Sequence, residues 1–441
     1  MKIPNTILVI LDRLHRSGFQ AYIVGGAVRD TCLGRTPTDW DVATSAPFEE
    51  ITGLFQDMRY FTLKHETVTI VDKERHFEVT PFRGPQHSPK TIVSDLGRRD
   101  FTINAMAYDA TNKEILDPVE GRQDISRRTV RAVGDPTERF REDPLRLLRA
   151  VRLATEFNFR IETKTMTAIS RMAEQLASVA QERIRDELMI ILMNRRPSKG
   201  FNLMLRTGLL RQVLPELIEG YLKKQNARHR YTIYRHILET IDRVGPDPVL
   251  RLCALLHDIA KPRVRAKLNG EFRFIGHEKA SAELARDILK RLRFSNGLIG
   301  QVTNLISHHM IQYNSNWSDG AVRRLIRRVG ADNIESLISF RDADLLAHDR
   351  GDEDRPLLSE LKQRIKKITE RPFPGVSRGL AIDGHRVMAT LGLRPGPKVG
   401  RVLSALMEKV TDRPELNTEE GLADLLKQCR HSDLFLDRDS H

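Results

Sequence analysis

The chain has 441 residues, 72 of them Lys or Arg and 59 Asp or Glu, for a net charge of +13. That length suits two to four domains, and the basic excess suits RNA or DNA as a partner, because each phosphate neutralised releases counterions. No apolar run approaches the ~18 residues of a membrane span. Three dispersed cysteines (Cys32, Cys253, Cys429) with no C-x-x-C spacing argue against a disulfide framework and fit a reducing cytoplasm.

In chain order, MKIPNTILVILDRL reads as an amphipathic first helix rather than a signal peptide, since an aspartate follows the apolar patch and no small-residue cleavage site does. In YIVGGAVRDTCLGRTPTDWDVATS, Ala21–Val24 is a short apolar run expected as a buried strand. Gly25-Gly26 then lets the backbone approach a ligand. Asp39 and Asp41 read as a second strand, where residues two apart share a face and both carboxylates can grip one metal cluster. Hard oxygen ligands suit Mg²⁺, which usually also binds substrate phosphates, so nucleotidyl transfer from an NTP is the expected chemistry. Val68–Val71 and His76–Phe82 flank Asp72–Arg75 as a hairpin.

Arg98-Arg99-Asp100 follows, and two guanidinium forks suit a triphosphate. From Glu142 to about Leu217 apolar residues recur three and four apart, so Asp143 and Arg146 are expected on one helical face. A carboxylate accepts and a guanidinium donates, so the pair reads either as an exposed ion pair or as a match for the base edges of cytosine and adenine that rejects those of uracil and guanine. Lys223–Arg230 is a polar boundary, and half of the fourteen histidines lie between His229 and His348. Pro372, Pro374 and Gly375 mark a further break, and Asn417, three residues before Glu420, reads as the cap of a short helical tail.

Taken together, GG-x-V-R-D with Asp39 and Asp41, GRRDFTINAMAYD (97–109), LDPVEGRQDI (116–125) and REDPLRLLRAVRLA (141–154) resemble the class II branch of the polymerase-beta superfamily. That branch holds the bacterial tRNA nucleotidyltransferases (CCA-adding enzymes) and the related poly(A) polymerases. The resemblance implies Glu78 as a third catalytic carboxylate; Gly25, Gly26 and Arg29 as a triphosphate-binding turn, with Asp30 orienting Arg29; Asp100 as acceptor for a ribose hydroxyl; and Asn104 as a neutral contact. It also implies that Glu142-Asp143-Pro144-Leu145-Arg146 is the base-recognition motif E-D-x-x-R, and that Asp117 and Gly121 form either a hinge or a plain turn. In this family adenine addition is attributed to a loop between the hairpin and the RRD motif. Here the connection from Arg83 to Arg98 is short and lacks the acidic, tyrosine and arginine run of enzymes that add the full CCA. A C- or CC-adding specialist acting with a separate A-adding enzyme is therefore expected, with poly(A) polymerase as the alternative.

His236 beside the stripe of Ile233, Ile237, Ile241 and Val244, then His257-Asp258 and Asp344, resembles the HD phosphohydrolase superfamily. His277 and His308 are candidates to complete a dinuclear site, and Lys261 to hold a phosphate. The imidazole–carboxylate set suits a divalent transition metal, with Mg²⁺ as an alternative. The expected architecture is a mixed α/β nucleotidyltransferase head with a small mixed sheet (1–137), then an all-α neck and body (138–222), an HD domain (223–350) and a helical tail expected to contact tRNA (351–441). The substrates expected are tRNA, CTP and ATP. A rival reading is an HD hydrolase whose head is a degenerate RNA-binding module.

Overall fold

The computed structural model describes residues 1–63, 66–84, 89–226, 230–348, 351–370 and 379–430. Lys64, His65, residues 85–88 of the Arg83–Arg98 connection, His229 and the Pro372–Gly375 break lie outside the described residues. The chain divides into two compact units, Met1–Pro215 and Glu216–His441. Among the described residues no helix is long and apolar enough to cross a membrane.

The first unit opens with α1 (Asn5–Arg16), whose buried Ile7, Ile10, Leu11 and Leu14 recur three and four apart and so form one apolar stripe. Strands follow in chain order: β1 (Ala21–Val24), β2 (Trp40–Thr44), β3 (Tyr60–Leu63), β4 (Thr67–Asp72), β5 (Arg75–Pro81), β6 (Ala107–Asp109) and β7 (Glu114–Leu116). They form one mixed sheet in the order β3-β4-β5-β2-β1-β6-β7. Within this sheet, among the described residues, only β2 and β5 pair in parallel, and the hairpin expected around Asp72–Arg75 is the β4–β5 pair with those two residues opposite each other.

Helices α2 (Gly26–Cys32), α3 (Phe48–Leu54), α4 (Ile92–Leu96) and α5 (Gly121–Ser126) complete the head. Then α6 (Pro136–Glu142), α7 (Leu145–Glu156), α8 (Thr163–Met172), α9 (Gln181–Leu192) and α10 (Pro197–Thr207) carry the helical pattern onward. Asp135 caps α6 by accepting from the Thr137 amide, and Pro136 occupies its first turn, where no amide partner is needed.

Among the described residues the second unit is helical, with one short hairpin (Ala266–Leu268, Glu271–Arg273). Ile233, Ile237, Ile241 and Val244 are all buried, as their spacing predicts. The last three helices (Gly384–Leu391, Pro397–Asp412, Glu419–Arg430) gather their own core around Val387, Leu406, Val410 and Leu422. The tail cap differs from expectation: Thr418 accepts from the Gly421 amide, while Asn417 is drawn away to accept from the Ala381 amide at 2.9 Å.

Candidate active site and metal centre

In the head, Asp41 sits in register with Val24 on one side and Glu78 on the other, so the parallel β2–β5 pairing brings the third carboxylate alongside. Asp39 lies one residue ahead of β2, exposed, rather than inside the strand. Burial, reinforced by the charges of Asp39 and Glu78, pushes the Asp41 carboxyl up to about 7, against the opposing pull of Arg99 and Arg83. Glu78 is also raised, first by burial and then by Asp39. Asp41 and Glu78 are adjacent oxygen donors that each feel the Asp39 charge, and a hard divalent cation held there would relieve the repulsion.

Gly25 has φ +73, and a Cβ there would stand 3.2 Å from both Arg99 Nη1 and Asp41 Oδ2. Only glycine lets the turn pass that close. Arg29 is not free to reach out: it donates to Asp30 (2.9 Å) and to Asn104 Oδ1 (2.7 Å) and lies over the Phe157 ring at 4.6 Å. It braces the glycine turn, and Asp30 orients it as expected.

Asp100 is also turned inward. Its Oδ1 accepts from the Phe101 amide (2.8 Å) and Asn104 Nδ2 (3.2 Å), and its Oδ2 from Arg149 (3.1 Å). Burial works against the charge, but Arg149 and these hydrogen bonds hold the carboxyl below its ordinary range. With those partners Asp100 anchors the RRD turn to α7.

The base-recognition pair departs from expectation. Asp143 is not helical: it breaks the chain between α6 and α7 with φ −147 and ψ 101. The cause is Pro144, which disfavours helical backbone at the residue before it. Asp143 then accepts from the Leu145 amide (3.2 Å) and from Arg183 on α9 (2.9 Å). Arg146 instead donates to Glu142 (2.9 Å) and the Arg139 carbonyl (3.1 Å). Asp143 and Arg146 are close in chain but held by different partners.

Asp117 accepts from the amides of Gly121 (2.7 Å) and Arg122 (2.9 Å). A Cβ on Gly121 would meet the Thr102 carbonyl oxygen at 2.3 Å. Of the two readings of this motif, the geometry is that of a capped, tightly packed turn.

A cavity of about 330 Å³ opens beside these elements, lined by Phe82, Arg83, Lys90, Arg98, Glu142 and Arg146. Arg83, Lys90 and the buried Asp95 were not singled out by sequence reasoning. The only signal was the four-residue spacing of Asp95 and Arg99 on a helical turn.

The second unit holds a denser cluster. Among the described residues two groups have ligand atoms within 4.8 Å of one another: His236, His257 and Asp344; and Asp258, His277 and His309. All six are buried. His236 Nε2 lies 3.0 Å from Asp344 Oδ1 and 3.3 Å from His257 Nε2, and His277 Nε2 lies 3.4 Å from Asp258 Oδ1. His257, His277 and His309 each bring Nδ1 to within 2.7–2.9 Å of the carbonyl three residues earlier. A carbonyl only accepts, so each Nδ1 carries a proton, which leaves Nε2 as the nitrogen that can turn to a metal. Asp258 Oδ1 and His277 Nε2 have no hydrogen bond. Burial pushes His236 down to about 4 and His309 to about 3, favouring the neutral ligand form, whereas at His257 the Asp258 and Asp344 carboxylates outweigh burial and raise it to about 9.

His309 takes the place expected of His308. The helix Asn296–His308 ends at His308, which turns back onto the Asn304 carbonyl (2.9 Å), while His309, one residue past the end, points inward. Lys261 is committed to Asp258 (2.7 Å) and Gln225 (3.0 Å) rather than open to a phosphate. A cavity of about 440 Å³ reaches the cluster, lined by Phe274, Ile275, Met310, Arg341 and His348 among others. The buried N/O donor set fits a pair of divalent transition metals.

Three family models match the chain in order: Poly A polymerase head domain (residues 21–131), Probable RNA and SrmB-binding site of polymerase A (158–220) and HD domain (229–349). The CC-adding tRNA nucleotidyltransferase of Thermus thermophilus is 35% identical over 422 residues, covering 92% of this chain and 93% of that one. The A-adding tRNA nucleotidyltransferase of Deinococcus radiodurans is 33% identical over 409 residues, covering 88% and 91%. The crystal structure of the Bacillus stearothermophilus CCA-adding enzyme in complex with CTP superposes with a TM-score of 0.75 at 27% identity, covering 97% of this chain and 98% of that one. Motif order, sheet and helical halves thus agree, and the chain belongs to the class II tRNA nucleotidyltransferase family, as a tRNA 3′-end nucleotidyltransferase carrying an HD domain.

Proposed function

We propose that the protein adds cytidine, and not the terminal adenosine, to tRNA 3′ ends from CTP with release of pyrophosphate, and that a separate A-adding enzyme completes the terminus. Likeness alone does not divide the specificities, because an A-adding and a CC-adding relative are almost equally similar. The observation that carries the reading, beside the shortness of the Arg83–Arg98 connection, is how Arg83 is tied to α4. The Arg83 amide donates to Asp95 Oδ1 (3.1 Å), and Ser94 Oγ donates to the Arg83 carbonyl (3.1 Å). Arg83 is thus held against Ser94 and Asp95, and the short sequence between them leaves little chain to reshape the base pocket after two cytosines.

In this reading Asp39 and Asp41, with Glu78 beside them, would hold Mg²⁺, which would supply charge neutralisation and a more acidic attacking hydroxyl. Arg99 and Arg83 face the triphosphate, where oxyanion charge develops on the leaving pyrophosphate. Asp143 accepts from the amino group of cytosine, and Arg146 donates to its ring acceptors once released from Glu142. Single-nucleotide-resolution gels on tRNAs ending at the discriminator base, C and CC decide it. Addition of two cytidines with little adenosine is expected. Efficient A addition to the CC-ended tRNA would refute the specialist reading, and long oligo(A) tails on unrelated RNA would favour poly(A) polymerase.

The buried His/Asp cluster supports a second activity, metal-dependent hydrolysis of phosphate esters in the HD domain. His257→Ala with Asp258→Ala removes it and spares nucleotide addition, since the two sites are built from separate segments. Loss of incorporation in the folded variant would sink this two-site model.

A further inference from the structure

Asp95 takes no part in the motifs described above, yet it is a buried carboxylate at 2% exposure with both oxygens in use. Its Oδ1 accepts from the Arg83 backbone amide at 3.1 Å. Its Oδ2 accepts from Arg99 Nε at 3.1 Å and lies 3.0 Å from Arg99 Nη2. The third nitrogen, Arg99 Nη1, is left over, and it lies beside the Gly25 turn, as close to it as Asp41 Oδ2. Asp95 itself is fixed: Thr91 and Ser94 close a reciprocal cap on the first turn of α4. One buried side chain therefore sets both the backbone from which Arg83 projects and the rotation of the Arg99 fork.

We infer that Asp95 is a positioning residue that aims Arg83 and Arg99 at the β- and γ-phosphates of the incoming nucleoside triphosphate. This rests on the proposed role of Arg99 at the triphosphate. A guanidinium held on one edge by a carboxylate keeps its opposite edge in a single orientation, and the effect falls on charged phosphates rather than on base or sugar. A nucleoside monophosphate lacks the β- and γ-phosphates, so on this inference its binding is insensitive to Asp95.

The test compares equilibrium binding of CTP and CMP to the full-length protein, in the absence of primer. Asp95→Asn retains the acceptor for the Arg83 amide and the side-chain shape, but replaces the charged contact to Arg99. About a tenfold weakening of CTP is expected with CMP unchanged, and in turnover a raised KM for CTP larger than the fall in kcat. Asp95→Glu, which restores the charge, recovers part of the CTP affinity. Parallel loss of CTP and CMP, or CTP affinity unchanged in folded Asp95→Asn protein, overturns the inference. Arg99→Ala separates the two layers. If it weakens CTP while Asp95→Asn does not, positioning by Asp95 is wrong; if it leaves CTP untouched, the triphosphate role of Arg99 has failed.

Discussion

Replacing Asp41 by Asn should make the metal-free protein more stable and the enzyme inactive. In the fold Asp41 is raised from an ordinary 3.8 to about 7 by burial and by Asp39 and Glu78. At 1.36 kcal/mol per unit, the difference sets a ceiling of roughly 4 kcal/mol on the cost of ionising it in the native state. The sign follows from proton counting. Between those two values the native protein holds a proton that the unfolded chain has released, so stability falls as pH rises through this window and the full cost is present above about pH 7. Asn carries no charge at any pH, so its advantage is greatest at pH 8 and vanishes near pH 4. Half the ceiling, roughly 2 kcal/mol, would raise the melting temperature by about 4–8 °C for a unit of this size.

The assay is thermal melting in EDTA at pH 8 and pH 5, repeated with Mg²⁺, beside incorporation of labelled CTP. Mg²⁺ should raise the wild-type melting temperature by mass action and leave Asp41→Asn nearly unmoved. CTP incorporation should be lost while tRNA binding persists, because the carboxylate acts on the transition state. An Asp41→Asn protein that melts at or below wild type in EDTA at pH 8 would refute the account of repelling carboxylates. Retained turnover would refute the assignment of the catalytic strand.

Gly121→Ala forces a methyl against the Thr102 carbonyl; backbone meets backbone, so a loss of roughly 1–3 kcal/mol or more is expected in denaturant melts, and an unchanged midpoint would mean the turn yields as a hinge does. His309→Ala should lower the metal content of the HD domain by elemental analysis and His308→Ala should not; the reverse result would restore the register expected from sequence. Arg183→Ala frees Asp143 Oδ2, and since the pair is half exposed its worth is roughly 0.2–1 kcal/mol. The expected change is a rise of up to about fivefold in KM for CTP, with some loss of discrimination against UTP, and a larger fall in kcat than in CTP binding would argue that Arg183 does something other than orient Asp143.

The parts legible in the sequence are those governed by local chain geometry. The apolar stripe of Ile233, Ile237 and Ile241, the strand Ala21–Val24, the hairpin turning at Asp72–Arg75 and the glycine turn before Asp41 follow from side-chain periods and turn chemistry, which act over a few residues. Ordered motifs were enough to place the chain in its family before any contact was known. Tertiary structure decided what depends on residues distant in sequence. The parallel β2–β5 register seats Glu78 beside Asp41 across an intervening hairpin, and no local pattern encodes which strands become neighbours. Asp143 and Arg146 share the expected spacing, but a helix break and partners on α6 and α9 separate them. In His308-His309 either residue could serve as a ligand, and a helix ending one residue earlier or later selects between them. Asp95, in SDLGRRD, is buried and given two arginines to hold only by folding. Burial and long-range pairing are collective properties of the packed chain, whereas periodicity belongs to each segment alone.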